Sequence, residues 1–253
     1  RPRTEPHVFG DVDRDAVEAI LRSVLQQGRT FLPEPEAHAV LAAYGLPILK
    51  AQLAKSEEEA LQAAKQVGYP VALKIVSPQM IHKVDFGGVQ LQIKNDAELQ
   101  EAYPRLLAQV KGHQPEADLW GVYVQAMAQK GLELILGVKR DPHFGPLLMF
   151  GLGGIYVEAL QDVAFRHVPV RERGAWRMLQ EIRSYTILKG FRNQPPCDMA
   201  ALVECIQRIS QLVMDFSQIE ELDINPLLAY PKGAQVVDAR IMIGKTPLAA
   251  EAP

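Results

Sequence analysis

The chain has 253 residues, of which 48% are hydrophobic and 23% charged, and its formal net charge is -3. That length supports one large domain or two small ones with real cores, the composition is ordinary for a globular protein, and the charge lacks the basic excess of a duplex nucleic-acid binder. No run of about 18 apolar residues marks a membrane span and no signal-peptide pattern occurs, so a cytoplasmic protein with neither a membrane nor a nucleic-acid partner is expected.

The first ten residues carry two prolines and read as linker. The chain starts Arg1-Pro2-Arg3-Thr4, without a methionine, and is read as a piece of a longer polypeptide. Asp15 to Gln27 has Ala16, Ala19, Ile20 and Val24 at helical spacing, with Gly28 beyond its end. Pro33 and Pro35 break the chain, and Glu36 to Tyr44 is a second helix stopped by Gly45. Ile48 to Ala54 reads as a strand. Ser56 with Glu59 forms a capping box for a helix ending at Gly68. Strands follow at Val71 to Val76 and Val89 to Lys94, the latter with Val89, Leu91 and Ile93 on one side. Asn95 with Glu98 caps a helix to about Val110. Gly121 to Met127, Leu132 to Arg140, Leu147 to Phe150 and Val163 to Val170 read as strands, with a turn at Asp141-Pro142-His143-Phe144-Gly145. Helices over Glu172 to Arg183 and Met199 to Phe216 precede strands near Ile219 to Ile224 and Gln235 to Ala239. Cys197 and Cys205 fall about two turns apart in one predicted helix, too distant for a disulfide, which fits a reducing compartment.

Four places carry chemistry. Lys74 stands in Val71-Ala72-Leu73-Lys74-Ile75-Val76, a strand apolar on both faces. A buried ammonium needs a partner, and a phosphate suits it. His82 and Lys83 stand beside Gly87-Gly88, where a glycine pair lets backbone N–H groups approach an anion. Gly151-Leu152-Gly153-Gly154 is a second such loop after an apolar strand. Asp223 and Asn225 alternate onto one side of a strand, and Asp238 follows on the next. Two carboxylates and an amide oxygen suit Mg²⁺, a hard cation that keeps phosphate and water as its other ligands. Arg166 offers a planar fork to a phosphate or, equally, to a surface carboxylate.

Taken in order, four blocks resemble the ATP-grasp superfamily in the version found in ADP-forming acyl-CoA synthetases. They are Val71-Ala72-Leu73-Lys74-Ile75 through His82-Lys83-Val84-Asp85-Phe86-Gly87-Gly88-Val89; Gly131 to Val138 with Asp141-Pro142-His143-Phe144-Gly145-Pro146; Phe150-Gly151-Leu152-Gly153-Gly154 with Glu158, Asp162 and Arg166; and Leu222-Asp223-Ile224-Asn225-Pro226-Leu227 with Val237-Asp238-Ala239. The resemblance implies an α+β, mixed α/β fold, in which two lobes grip a nucleotide. Residues 1–30 are then linker and helix and 31–253 the ATP-grasp body, with a smaller lobe around 48–118 and a larger one around 119–245.

The resemblance also implies roles. Lys74, with Lys83, Gly87 and Gly88, would contact and cover the nucleotide phosphates, and Arg166 would join them. The strand Val122-Tyr123-Val124-Gln125 would offer backbone groups to adenine, with Glu133, Gly153 and Gly154 also at the nucleotide. Asp223, Asn225 and Asp238 would hold Mg²⁺, and ATP or ADP would be the substrate. His82 would be a transient phosphate carrier. The reaction implied is acyl-CoA + ADP + phosphate ⇌ acid + CoA + ATP, that of an acid–thiol ligase. A CoA-binding module carrying a phosphohistidine, in a separate subunit or a fused domain, would complete it, because no glycine motif for CoA is seen here. This chain alone is expected to bind nucleotide and make no acyl-CoA. Two other classes compete: a non-catalytic ATP-binding regulatory module of a protein acetyltransferase fusion, and an ATP-grasp C–N ligase, which would not need a histidine at His82.

Overall fold

A computed structural model of the protein describes residues 5–80, 87–154 and 161–244. The chain divides into two compact units. One comprises the chain up to Leu32, Glu36–Ile48 and the chain from Lys130 onward; the other comprises Pro33–Pro35 and Leu49–Gln129.

The second unit runs β2 (Ala51–Ala54), α3 (Glu57–Val67), β3 (Val71–Val76), β4 (Val89–Ile93), α4 (Asp96–His113) and β5 (Gly121–Ala126). Its strands form an antiparallel sheet in the order β2-β5-β3-β4. Both helices start where a side chain satisfies a free backbone N–H. The Ser56 hydroxyl accepts from the Glu59 N–H at 3.2 Å and Asn95 Oδ1 accepts from the Glu98 N–H at 2.9 Å. The returning glutamates reach one residue further back than a capping box requires, accepting from the N–H groups of Lys55 and Lys94 at 2.7 and 2.8 Å. The two helices bury Ala60, Ala64, Leu99, Leu106 and Val110 against Val71, Leu73, Ile75, Val122 and Val124.

The simple alternation expected of β4 fails. Val71 pairs with Ile93 but Leu73 pairs with Gln90, so β4 carries an extra residue there. Gln92 takes φ +60° and Leu91 is exposed. The strand Gly121–Ala126, expected to open the larger lobe, lies between β2 and β3 in this smaller sheet. Strand pairing, which sequence spacing does not report, assigns it to this unit.

The first unit contains α1 (Arg14–Gln26), β1 (Phe31–Leu32), most of α2 (Glu34–Ala43), β6 (Leu132–Asp141), β7 (Gly145–Leu152), β8 (Val163–His167), α5 (Glu172–Glu181), α6 (Tyr185–Leu188), α7 (Met199–Asp215), β9 (Ile219–Ala229), β10 (Ala234–Val236) and β11 (Ala239–Ile243). The sheet order is β1-β11-β9-β6-β7-β8, with β10 on β9, and all these pairings are antiparallel. Pro35 does not stop α2. It sits in the first turn, where a missing N–H costs nothing. Nor are the first ten residues all linker: Phe9 exchanges two hydrogen bonds with the Gln211 side chain, and Arg208 grips Asp11 from below the Phe9 ring. Cys197 lies just before α7 rather than within it, and both cysteines are free.

Cross-strand register separates the two faces of this sheet, because directly paired residues project to the same side. The rows Ile224, Leu136, Phe150, Ala164 and Leu222, Val138, Leu148, Arg166 share the side that packs on Met178, Leu179, Ile206, Ile209 and Leu212 of α5 and α7. The row between them, Arg240, Asp223, Gly137, Met149 and Phe165, projects to the other side. No helix among the described residues is long and apolar enough to cross a membrane.

Candidate functional site

In the second unit the non-helix face of the sheet carries polar groups under cover. Lys74 pairs with Tyr123 in the β3–β5 register, and Ala72 with Gln125. The Lys74 side chain is 5% exposed, and its ammonium is 2.7 Å from Glu34 Oε1, whose side chain is 3% exposed. The buried lysine therefore has a carboxylate partner of its own. Glu34 was missed in the sequence because it stands between Pro33 and Pro35, a stretch that reads as a break ahead of the helix. Burial raises the Tyr123 phenol, and the Glu34 charge adds to it, so the hydroxyl stays neutral.

Gly88 lies beside this lysine, since its carbonyl accepts from the Ile75 N–H at 2.8 Å and the next residue, Val89, pairs with Lys74. Gly87 has φ +65°, in the left-handed region that favours glycine, and it packs beside the Gln109 side chain of α4. His82 and Lys83 lie outside the described residues, as does Glu158.

The expected adenine contact from Val122–Gln125 is not available in the form foreseen. β5 is flanked by β2 and β3, so its backbone groups are used in two ladders. Val124 is buried in the helix-side core and Gln125 is buried on the opposite face.

In the first unit the three expected metal ligands are neighbours along the backbone. Asp223 and Asn225 lie on β9, and Arg240 of β11 is directly opposite Asp223. Asp238 is not on a strand. It occupies the irregular step between β10 and β11, held where its carbonyl accepts from the Asn225 N–H at 3.2 Å. That bond places Asp238 beside Asn225. Arg240 Nε is 3.3 Å from Asp223 Oδ2. Burial raises the Asp223 carboxyl above its ordinary range; the Arg240 charge opposes this and the Glu221 charge adds to it. A carboxylate so placed gains from any further cation. Among the described residues no group of three or more His, Cys, Asp or Glu side chains forms a metal cage. Two carboxylates and an amide oxygen are the donor set for a hard cation that keeps phosphate and water ligands.

The glycine loop reaches the same place. The Gly154 N–H donates to Asn225 Oδ1 at 3.3 Å, and the Gly153 N–H donates to the Glu133 carbonyl at 2.8 Å. A Cβ on Gly153 would lie 2.6 Å from the Leu134 backbone, and one on Gly154 would lie 2.1 Å from Glu133 Oε2. These two amides are thus committed to holding the loop on β6 and β9, rather than turned to an anion. Asn225 Oδ1 keeps a second lone pair.

Asp162 fastens the far end of the loop. Its carboxylate accepts from the Arg183 and Ser184 N–H groups at 2.6 and 2.7 Å, and its carbonyl accepts from the Leu152 N–H at 3.1 Å. Arg166 does not join this set. It lies in the helix-side row of the sheet and forms a salt bridge with Glu181 of α5. The surface salt bridge wins because alternation along β8 turns residue 166 away from the face that carries Asp223.

Comparison with known proteins gives one family for nearly all of this chain. The model of the ATP-grasp domain matches residues 23–243. Over 212 residues the chain is 46% identical to the acetate–CoA ligase [ADP-forming] I subunit beta of Pyrococcus furiosus, covering 84% of this chain and 91% of that one. It is 46% identical over 232 residues to the 4-hydroxybutyrate–CoA ligase [ADP-forming] of Nitrosopumilus maritimus, covering 91% of this chain but 33% of that longer protein. Among solved structures, the dinucleotide forming acetyl-coenzyme A synthetase 1 of Ca. Korarchaeum cryptofilum, in complex with coenzyme A, Ca-AMPCP and HgCl+, superposes with a TM-score of 0.87 at 43% identity, over 90% of this chain and 99% of that one. The same enzyme with coenzyme A and Mg-AMPPCP, its phosphohistidine segment pointing towards the nucleotide binding site, gives a TM-score of 0.80 at 39% identity, over 90% and 100% of the two chains.

Proposed function

Because this chain belongs to the ATP-grasp domain family and is homologous to the beta subunits of ADP-forming acetate–CoA ligases, we propose that it is the nucleotide-binding part of an ADP-forming acyl-CoA synthetase. Its task in that reading is to pass a phosphoryl group between a phosphohistidine and ADP, within acyl-CoA + ADP + phosphate ⇌ acid + CoA + ATP. The N–P bond of the phosphohistidine breaks as an O–P bond forms to the terminal phosphate of ADP. What supports the reading is that Asp223 and Asn225 lie on β9, that the Asn225 N–H donates to the Asp238 carbonyl, and that the glycine loop is tied to Asn225.

Asp223, Asn225 and Asp238 would hold Mg²⁺, which when bound supplies positive charge to the phosphate oxygens. Lys74, oriented by Glu34, and the Gly87-Gly88 turn remain proposed contacts of the nucleotide phosphates. Lys83 and Glu133 remain proposed neighbours of the nucleotide, whereas the fully buried Val124 and Gln125 offer it no side-chain surface. His82 would take the phosphoryl group in transit, since a neutral imidazole nitrogen is a competent acceptor. Phosphoryl transfer asks the protein for positioning and charge more than for covalent chemistry.

The CoA-binding module with the primary phosphohistidine would come from a partner subunit or a fused domain. This fits a chain that spans most of a beta subunit and a third of a single-chain ligase. Calorimetric titration with ADP and ATP, with and without Mg²⁺, tests the reading. Mg²⁺-dependent binding is expected, weakened at least about tenfold in Asp238→Ala by loss of a charged ligand. A folded wild type that binds neither nucleotide overturns it.

A further inference from the structure

The sequence pointed to Arg166 as the phosphate arginine, and the structure turns that residue to the helix side of the sheet, against Glu181. Lys139, on the same sheet face as Asp223, is also committed, 2.9 Å from Glu221. Arg240 differs from both. It stands opposite Asp223 in register, two residues after Asp238, on the face that carries the acidic set.

Its tether is the Nε, 3.3 Å from Asp223 Oδ2. Its side chain is 44% exposed. A guanidinium held by Nε on a carboxylate keeps its Nη edge for a second planar or tetrahedral oxyanion, because the five N–H donors lie in one rigid fork. The position suits charge balance too. A nucleotide di- or triphosphate brings more negative charge than one divalent cation cancels, and the Asp223 and Asp238 carboxylates already face that cation.

We propose that Arg240 is the arginine of this chain that grips the terminal phosphates of the nucleotide. The assignment rests on the nucleotide-site reading above. Asp223 then has two duties, as a metal ligand and as the anchor that aims Arg240. The strand residue beside Asp223 on this face is Gly137, which brings no side chain against it.

The test is calorimetric titration of ADP and ATP on wild type, Arg240→Gln and Arg240→Lys, each in Mg²⁺ and in EDTA, with thermal melts to confirm folding. Loss of charge-assisted hydrogen bonds predicts about a 10–100-fold weaker affinity for Arg240→Gln in both buffers. Arg240→Lys should fall between, since it restores charge without the fork. Arg166→Gln should bind like wild type. Unchanged binding by a folded Arg240→Gln overturns the assignment and leaves the nucleotide site standing. Equal affinities of wild type and Arg240→Gln in EDTA, both measurable, beside a loss in Mg²⁺ also overturn it, because the arginine would then act only by aligning Asp223. Wild type that binds no nucleotide in either buffer removes the site itself, and the arginine with it.

Discussion

In the four-stranded sheet the cation Lys74 is 5% exposed and its carboxylate partner 3%; in the seven-stranded sheet Lys139 and Arg240 are 78% and 44% exposed and their partners 46% and 28%. Both sheets have one face packed on helices and one face bearing charge, yet they hold that charge under different physical conditions. A buried pair has lost hydration on both ions, so each depends on the other and neither moves cheaply. An exposed pair is screened and gains little, so either member can exchange its partner for a ligand at small cost. The smaller unit is thus built to hold a lysine still. The larger unit leaves Lys139 and Arg240 in pairs that exchange partners at small cost.

Substitutions can break that contrast, and Glu34→Ala should do the most. It removes the carboxylate beside a buried ammonium, and about 3–5 kcal/mol of stability should go with it. Urea unfolding followed by Trp120 fluorescence, in a Trp176→Phe background, reads this, because Trp120 lies in the second unit and Trp176 in the first. Adding Lys74→Met should recover most of the loss. A cost under about 1 kcal/mol would put this pair with the exposed ones.

Asp162 supplies a middle case, a buried carboxylate bonded to backbone donors instead of a cation. Burial works to raise its carboxyl, but the bonds from Ser184 and Arg183 outweigh this and hold it below its ordinary value. Asp162→Ala should cost about 1.5–3 kcal/mol at neutral pH. For a carboxyl lowered in the folded state, that stabilisation is complete above the ordinary value of 3.8 and disappears as pH falls through the lowered one. The difference between wild type and Asp162→Ala should therefore shrink on acidification below that value. A difference that stays constant to the acid limit would show that the carboxylate charge is not what holds the corner.

The smallest effect belongs to the exposed pair. Lys139→Met should change stability by about 0.2–1 kcal/mol, and less in high salt. A larger or salt-independent loss would mean that the two faces do not differ as described.

Much of the architecture was legible from local signals. Ser56 and Asn95 announced two helices because a side-chain oxygen three residues before a glutamate satisfies backbone donors locally. Alternation alone led to the expectation that Asp223 and Asn225 share one side of a strand, and the backbone bond between Asn225 and Asp238 is what sets Asp238 beside them. What failed needed a neighbour. The extra residue in β4 appears only against β3, and β5 became a central strand only through β2. Pro35 reads as a breaker until the first turn of a helix is known to begin at Glu34.

The sequence by itself determined which segments are helix and strand, the ATP-grasp membership carried by its blocks, and the residue types able to meet phosphate and metal. These are short-range properties of propensity, capping and spacing. Only the tertiary structure decided which candidates share a face and which are already occupied. It gave Lys74 a carboxylate 40 residues away in the chain, sent Arg166 to Glu181, and set Arg240 opposite Asp223. Partnership across a sheet depends on register, and register is fixed by packing of the whole unit rather than by any segment alone.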